Sequence, residues 1–273
     1  MTSDVSEAPN FAPSSTAFVL DADRPVLAHH RRMKARSSVD PHHHPRSQLI
    51  WASDGVCRVT SDENVWIVPP SHAVWIPGNL LHDVVTETEA HFRNLYIDPS
   101  AVDARPGLAQ TGCRVLTLTP LMRELIVRLC DSDLAAPFNE RLQRLCAVAL
   151  DEIATLAEAP LSLPGGRDPR VVRLTRHLGL HPEDGRSFSE LAQLAGASPR
   201  NLERLFLRET GLTPRQWRIR AKLLSAIERL NDGQSSTQIA HALGYSGASA
   251  FVSAFRQQFG RPPQSFLGPA QER

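Results

Sequence analysis

The apolar positions change their period along the chain. From about Ala17 to Ile97 they alternate in short runs. Val56-Cys-Arg-Val-Thr60, Val65-Trp-Ile-Val68 and Ala73-Val-Trp-Ile76 are rich in β-branched and aromatic residues, and Asp54-Gly55, Pro69-Pro70 and Pro77-Gly78 punctuate them. Closely spaced strands divided by turn residues predict a sandwich or barrel. At Thr119-Pro120 the pattern turns helical: a capping residue precedes a Pro in the first turn, and Leu121, Leu125, Ile126 and Leu129 share a stripe. A second helix is predicted from about Asn139 to Ala159, with Leu142, Leu145, Ala149, Ile153 and Leu156 on one face. Pro160 to Asp168 has linker composition, and 169–266 is helical throughout.

Within that last stretch one grammar occurs twice. Ser187-Phe-Ser-Glu190 is a capping box, followed by Leu191, Ala192, Leu194 and Ala195 facing a core. Gly196-Ala197 turns the chain, and Ser198-Pro199 starts a second helix with Leu202, Leu205 and Phe206 inward. Arg200, Glu203 and Arg204 then fall on the opposite face, flanked by Ser198, Asn201 and Arg208, and Gly211 stops the helix. About 50 residues later Ser235-Ser-Thr-Gln238 is another capping box. Gly244 turns, Ser246 is placed as a cap, and Ala250, Phe251, Ala254 and Phe255 form the inward stripe. Ala248, Ser249, Val252, Ser253 and Arg256 lie opposite. Between the units, Thr213-Pro214 starts a joining helix of about 215–230 that contains Trp217. Two such helix-turn-helix units can set their second helices into successive major grooves, roughly 34 Å apart. Arg pairs with guanine O6 and N7, and Glu accepts from cytosine N4.

Residues 170–266 resemble the AraC/XylS-type DNA-binding domain. The stretches that carry the resemblance are Leu191-Ala-Gln-Leu-Ala-Gly-Ala-Ser-Pro-Arg-Asn-Leu-Glu-Arg-Leu-Phe206 with Glu209-Thr-Gly-Leu-Thr-Pro214, and Ile239-Ala-His-Ala-Leu-Gly-Tyr245 with Ala250-Phe251, Phe255 and Phe259-Gly260. The resemblance implies that Arg200, Glu203 and Arg204 read bases in the first unit, and Ala248, Ser249, Val252 and Ser253 in the second. The family often has a long polar side chain where this chain has Ser253. Short side chains offer no bidentate pair, so the first unit is expected to supply most discrimination.

In the β region, Pro41-His-His-His-Pro-Arg-Ser-Gln48 is the polar oddity. In extended backbone His42 and His44 share a face while His43 points away. With Gln48, Gly55 and Pro77-Gly-Asn-Leu-Leu-His82 they match the spacing of the cupin motifs, H-x-H-x3-E-x6-G and P-x-G-x2-H. This region therefore resembles a cupin-type barrel, the usual sensor in one branch of the regulator family, and the resemblance makes His42, His44, Gln48 and His82 the metal ligands. Gln48 stands where the motif has Glu, and Asn79 where it has Gly; Asn tolerates the left-handed conformation. Two readings stay open: three imidazoles holding a divalent transition metal, with Gln48 as a weak fourth ligand, or histidines lining a pocket for an organic effector.

Bulk properties narrow the class. The chain has 273 residues, 41% hydrophobic and 22% charged, an ordinary globular composition with no apolar run long enough to span a membrane. Net charge is +1, but it is divided: residues 1–169 carry 15 Lys and Arg against 21 Asp and Glu, whereas residues 170–273 carry 15 against 8. A basic module on an acidic one suits a nucleic-acid binder with a control domain. Four scattered cysteines argue against a disulfide scaffold or thiolate zinc site and fit a reducing cytoplasm.

The predicted fold is two-domain α+β: an N-terminal cupin-like β-barrel with trailing helices, and a C-terminal all-α domain of two helix-turn-helix subdomains joined by a linker helix. The expected divisions are a disordered lead-in at 1–16, an effector-binding domain at 17–118, a helical coupling or dimerisation segment at 119–159, a linker at 160–168 and the DNA-binding domain at 169–268. The expected function is a cytoplasmic, sequence-specific transcription regulator controlled by a small molecule or metal, acting on a neighbouring transporter or enzyme gene. Its expected partners are double-stranded promoter DNA, a second copy of itself and, for an activator, RNA polymerase, with no membrane. The alternatives are a cupin metalloenzyme fused to a DNA-binding domain and a nonspecific DNA-packaging protein; the modest charge disfavours the latter.

Overall fold

The computed structural model describes residues 9–61, 64–86, 88–109, 111–132 and 139–266. They form two compact units, one of residues 9–61 and 68–160, the other of 64–67 and 161–266.

The strands are β1 (Asn10–Phe11), β2 (Val26–Met33), β3 (Ser38–His42), β4 (Ser47–Asp54), β5 (Cys57–Ser61), β6 (Asn64–Val68), β7 (His72–Ile76), β8 (His82–Thr86) and β9 (Ala90–Ile97). A short α1 (Pro99–Asp103) and β10 (Arg114–Thr117) follow, then α2 (Pro120–Cys130), α3 (Glu140–Thr155), β11 (Glu158–Ala159) and β12 (Ser162–Leu163). In the first unit one antiparallel sheet runs β11-β10-β7-β4-β9-β2, and the other runs β1-β3-β8-β5. Neither sheet closes on itself, so the expected barrel is a pair of open sheets around a shared interior.

Strand β4 shows why its pattern reads as a continuous apolar run. Ser47 to Ala52 are all buried, because both faces of this strand are covered. Leu49 and Trp51 pack outward into a core completed by Met122, Leu125, Ile126 and Leu129 of α2 and Cys146, Ala149, Leu150 and Ile153 of α3. Gln48 and Ile50 point into the cavity between the sheets. The helices expected to couple or dimerise thus cover the outer face of a sheet. Leu125, Ile126 and Leu129 of α2 and Ala149 and Ile153 of α3 are buried as expected, but Leu121 is exposed and Met122 is buried in its place.

Two further expectations are corrected. Of the lead-in assigned to 1–16, residues 1–8 lie outside the described residues, but 9–16 are structured. Asn10 and Phe11 pair in parallel with Ser38 and Val39, and a 3-10 helix spans Ser15–Phe18. The stretch 160–168 is not a free linker. Ser162 and Leu163 pair with Trp66 and Val65, which places residues 64–67 in the second unit, and the Pro164 carbonyl accepts from Trp217 Nε1. Glu209 also accepts from the Arg167 and Asp168 amides. A Pro-rich composition signals no regular element, but its backbone groups still find partners.

The second unit continues with α4 (Pro169–Leu180), α5 (Phe188–Ala195), α6 (Pro199–Thr210), α7 (Pro214–Asn231), α8 (Ser236–Ala242), α9 (Ala248–Phe259) and a 3-10 turn at Pro263–Phe266. Capping boxes start α5, α7 and α8. Gly196 and Gly244 take positive φ at the two turns, as the tight helix-to-helix reversal requires. Phe206 stands edge-on to Trp217, and Phe251, Phe255, Phe259 and Phe266 stack along the second subdomain's core. Leu194 and Ala250, expected inward, are exposed, and Ala254 is half-buried, because the buried stripe is narrower than the apolar one.

Candidate nucleic-acid interface and effector site

Helix α6 buries Leu202, Leu205 and Phe206, so its other face must meet solvent. That face holds Arg200, Glu203, Arg204 and Arg208, all exposed, with exposed Ser198 at the N-cap and half-buried Asn201 beside it. Arg204 Nη2 donates to Asn201 Oδ1 at 3.3 Å, and Arg208 pairs with Glu209. On α9, Ser249, Ser253 and Arg256 are exposed, Ala248 and Val252 half-buried, and these five line one shallow hollow.

Capping departs from expectation at both helices. Ser198 is the N-cap of α6 but its side chain makes no capping bond, and Gly247, not Ser246, is the N-cap of α9. Both second helices of the pair therefore begin without a side-chain acceptor, unlike α5, α7 and α8.

A groove along α7 lies outside what the sequence pattern predicts. Arg215, Arg218 and Lys222 line it with Glu203 of α6 and Tyr245 of the second turn. Arg218 donates to the carbonyls of Asp184 and Arg186 in the first subdomain, and Lys222 Nζ donates to Leu243 O in the second, at 2.8 Å. The signal was present as a basic i, i+3, i+7 row, but such a row is also what a solvated face looks like.

In the first unit the Pro77-Gly78-Asn79 turn sets the histidines against one another. Asn79 takes φ 63°, and its amide donates to His44 O at 2.8 Å. A Cβ on Gly78 would lie 2.4 Å from Pro45 O. Gly78→Ala is therefore expected to push β8 from the His44 segment and to weaken any zinc affinity of the histidines by about 10- to 100-fold, the usual cost of disturbing the support of a ligand; zinc titration with a competing chelator measures it.

His42, His44 and His82 each offer a ring nitrogen, and the three atoms lie within 4.8 Å of one another. Each ring also sends Nδ1 to a backbone carbonyl: Asp40 O at 2.7 Å, Arg46 O at 2.7 Å and Leu80 O at 2.9 Å. A carbonyl only accepts, so each Nδ1 carries the proton and each Nε2 presents a lone pair. Among the described residues, His82 Nε2 is buried with no hydrogen-bond partner. Burial holds all three imidazoles below their ordinary pKa, His82 down to about 4, so they are neutral at pH 7. Gln48 Oε1 lies 3.0 Å from His44 Nε2, while Gln48 Nε2 donates to the Tyr96 hydroxyl at 3.1 Å. Two acceptors facing each other are reconciled by a cation between them or by reversal of the amide. The donor set fits a divalent transition metal, with the Nδ1–carbonyl bonds as its outer support. His43 is exposed, as its alternation predicts.

These sites can be set beside known proteins. Residues 24–154 match the family description "AraC-like ligand binding domain", and residues 191–268 match "Helix-turn-helix domain". The HTH-type transcriptional regulator NimR of Escherichia coli is 33% identical over 226 residues, which cover 83% of this chain and 81% of NimR. This chain belongs to the AraC family of transcriptional regulators. RipA of Corynebacterium glutamicum, also an HTH-type regulator, is 33% identical over 104 residues, 38% of this chain and 31% of RipA. The solved ToxT of Vibrio cholerae aligns over 89% of this chain and 98% of its own at 10% identity, with a TM-score of 0.37.

The protein is thus an AraC-family DNA-binding regulator with an N-terminal ligand-binding domain. The ligand-binding match spans the three histidines and Gln48, and the helix-turn-helix match spans the outward faces of α6 and α9. Among the described residues no helix is long and apolar enough to cross a membrane.

Proposed function

We propose that this AraC-family regulator reads its operator mainly through α6 and is switched by a small molecule or divalent transition metal held in the first unit. The observation that carries the reading is the exposed set Arg200, Glu203, Arg204 and Arg208 on a helix whose other face is locked into a core. These side chains reach base edges without disturbing the fold. Ser198, Asn201 and Arg256, with Ala248, Ser249, Val252 and Ser253, supply phosphate and thymine-methyl contacts. Arg215, Arg218 and Lys222 add positive potential for the phosphates running between the two reading helices.

A metal would be held by His42, His44 and His82 with Gln48 Oε1 as fourth donor, and it would supply a fixed positive charge inside a neutral donor set. His82→Ala is expected to lower zinc affinity by at least about tenfold, comparable with loss of an outer-shell partner or worse. Equilibrium dialysis of the full chain checks this, and unchanged affinity would leave the histidines as pocket lining only. The regulator acts in the cytoplasm, as a sensor and not as an enzyme. It works as a homodimer, a reading supported by Leu121 and Val148, which α2 and α3 leave half exposed. Ligand occupancy must favour one DNA-binding state over the other to have any effect. Mapping the genomic sites bound by the protein tests the function directly: sites beside a transporter or enzyme gene are expected, and uniform coverage would contradict sequence-specific regulation.

A further inference from the structure

The interior of the first unit carries polar groups that the histidine cluster does not use. Strand β2 turns His29 and Arg31 into the same cavity that His42 and Gln48 line, and β9 adds Asn94. Among the described residues, His29 Nδ1 and Asn94 Oδ1 are buried with no hydrogen-bond partner. Such atoms are rare in folded proteins and call for a ligand or water to complete them. Arg31 spends Nη1 on the Ala12 carbonyl at 3.2 Å and rests over the Phe11 ring at 5.2 Å, which leaves most of its five N–H donors free for a ligand.

Charge narrows the ligand. Among the described residues, none that lines this cavity is Asp or Glu. Burial, and Arg31 itself, hold His29 below its ordinary pKa, so the guanidinium is the standing charge of the cavity. A guanidinium fork matches a carboxylate in plane and spacing. Asn94 Oδ1 can only accept, so the ligand must also bring a donor. Met33, Ile50 and Phe92 supply an apolar wall. The cavity opens to solvent, and the empty space with its mouth included is about 430 Å³.

We propose that this cavity binds a small hydroxycarboxylate, with its carboxylate on Arg31 and its hydroxyl donating to Asn94 Oδ1, beside the histidine cluster. The assignment rests on the reading that the first unit is a small-molecule sensor, and it names the chemical class sensed. The test is calorimetric titration and thermal shift of the full-length protein with 4-hydroxybenzoate and 3-hydroxybutyrate, against 4-hydroxybenzamide, benzoate and zinc alone. The expected result is that at least one hydroxycarboxylate binds, with the matched amide or dehydroxy acid at least tenfold weaker. Arg31→Gln and Asn94→Asp should each weaken it at least tenfold with unchanged circular dichroism, whereas Arg32→Gln, on the outward side of β2, should bind like the parent. Equal binding of acid and amide, full binding by Arg31→Gln, or no binding by either hydroxycarboxylate overturns the proposal. A response to the amide or to zinc alone would discard the carboxylate and keep the sensor. A protein that binds none of these probes, and whose operator occupancy is also indifferent to cell extract, would lose both readings.

Discussion

Arg204→Ala is expected to weaken binding to the specific operator by about 5- to 150-fold, the equivalent of roughly 1–3 kcal/mol for one bidentate base contact. Binding to random DNA should fall only a few-fold, since one phosphate-range charge is lost. The reason lies in where the side chain stands. Arg204 is exposed on α6, and its one described bond is the 3.3 Å contact to Asn201, so nothing in the core depends on it. Thermal stability should therefore stay within about 0.5 kcal/mol of the parent. Ser253→Ala on α9 removes a hydroxyl that offers no bidentate pair and should cost far less discrimination. Fluorescence anisotropy on operator and random duplexes, over a salt series, separates the two. Equal loss of discrimination from both variants would refute the unequal division of reading between α6 and α9.

Arg46→Ala is expected to destabilise the first unit by about 3–5 kcal/mol, as removing one partner of a buried ion pair does. The Arg46 side chain is fully buried and meets Asp98 at 3.2 Å. Its guanidinium also donates to the carbonyls of Val19, Asp21, Arg24, Pro25 and Tyr96. One side chain thereby ties the segment before β2 to the ends of β4 and β9. Without it those carbonyls lose this donor and the Asp98 carboxylate loses its buried counter-charge. Asp98 also accepts from the amides of Asp21 and Ser100, the latter bond capping α1.

Burial acts to raise the Asp98 pKa, but the bonds from Ser100 and Asp21 and the Arg46 charge outweigh it, and the carboxyl sits below its ordinary value. A carboxyl lowered in the folded state contributes stability that is complete above its unfolded pKa, about 3.9, and lost as pH falls through the folded one. The parent should therefore lose stability across that acid range, and Arg46→Ala should lose less. Urea unfolding followed by the fluorescence of the buried Trp51 and Trp75 reads both effects. A variant as stable as the parent at pH 7 would show that the carbonyls find other donors.

Helical punctuation in the second unit was legible from local signals. The boxes at Ser187 and Ser235, and the positive-φ Gly196 and Gly244, act within four residues, so neighbouring sequence suffices to specify them. The exposed charges of α6 were legible for the same reason, since a helix with one apolar face has only one direction in which to point Arg200 and Arg204. The spacing of His42, His44 and His82 gave the candidate cluster through a family resemblance, and the left-handed Asn79 followed from its chemistry.

Tertiary contacts decided the rest. Sequence alone determined the two-part architecture, the two turn-linked helix pairs and the outward charges of α6, because periodicity and capping are properties of adjacent residues. Only the folded chain decided that Met122 and not Leu121 is buried, that residues 9–16 and 161–168 are bound into their units, that Arg46 is buried against Asp98, and that Arg31 and Asn94 share a cavity with His42 and Gln48. Each of those outcomes depends on partners tens of residues away, and a buried polar group declares itself only when the groups around it are in place.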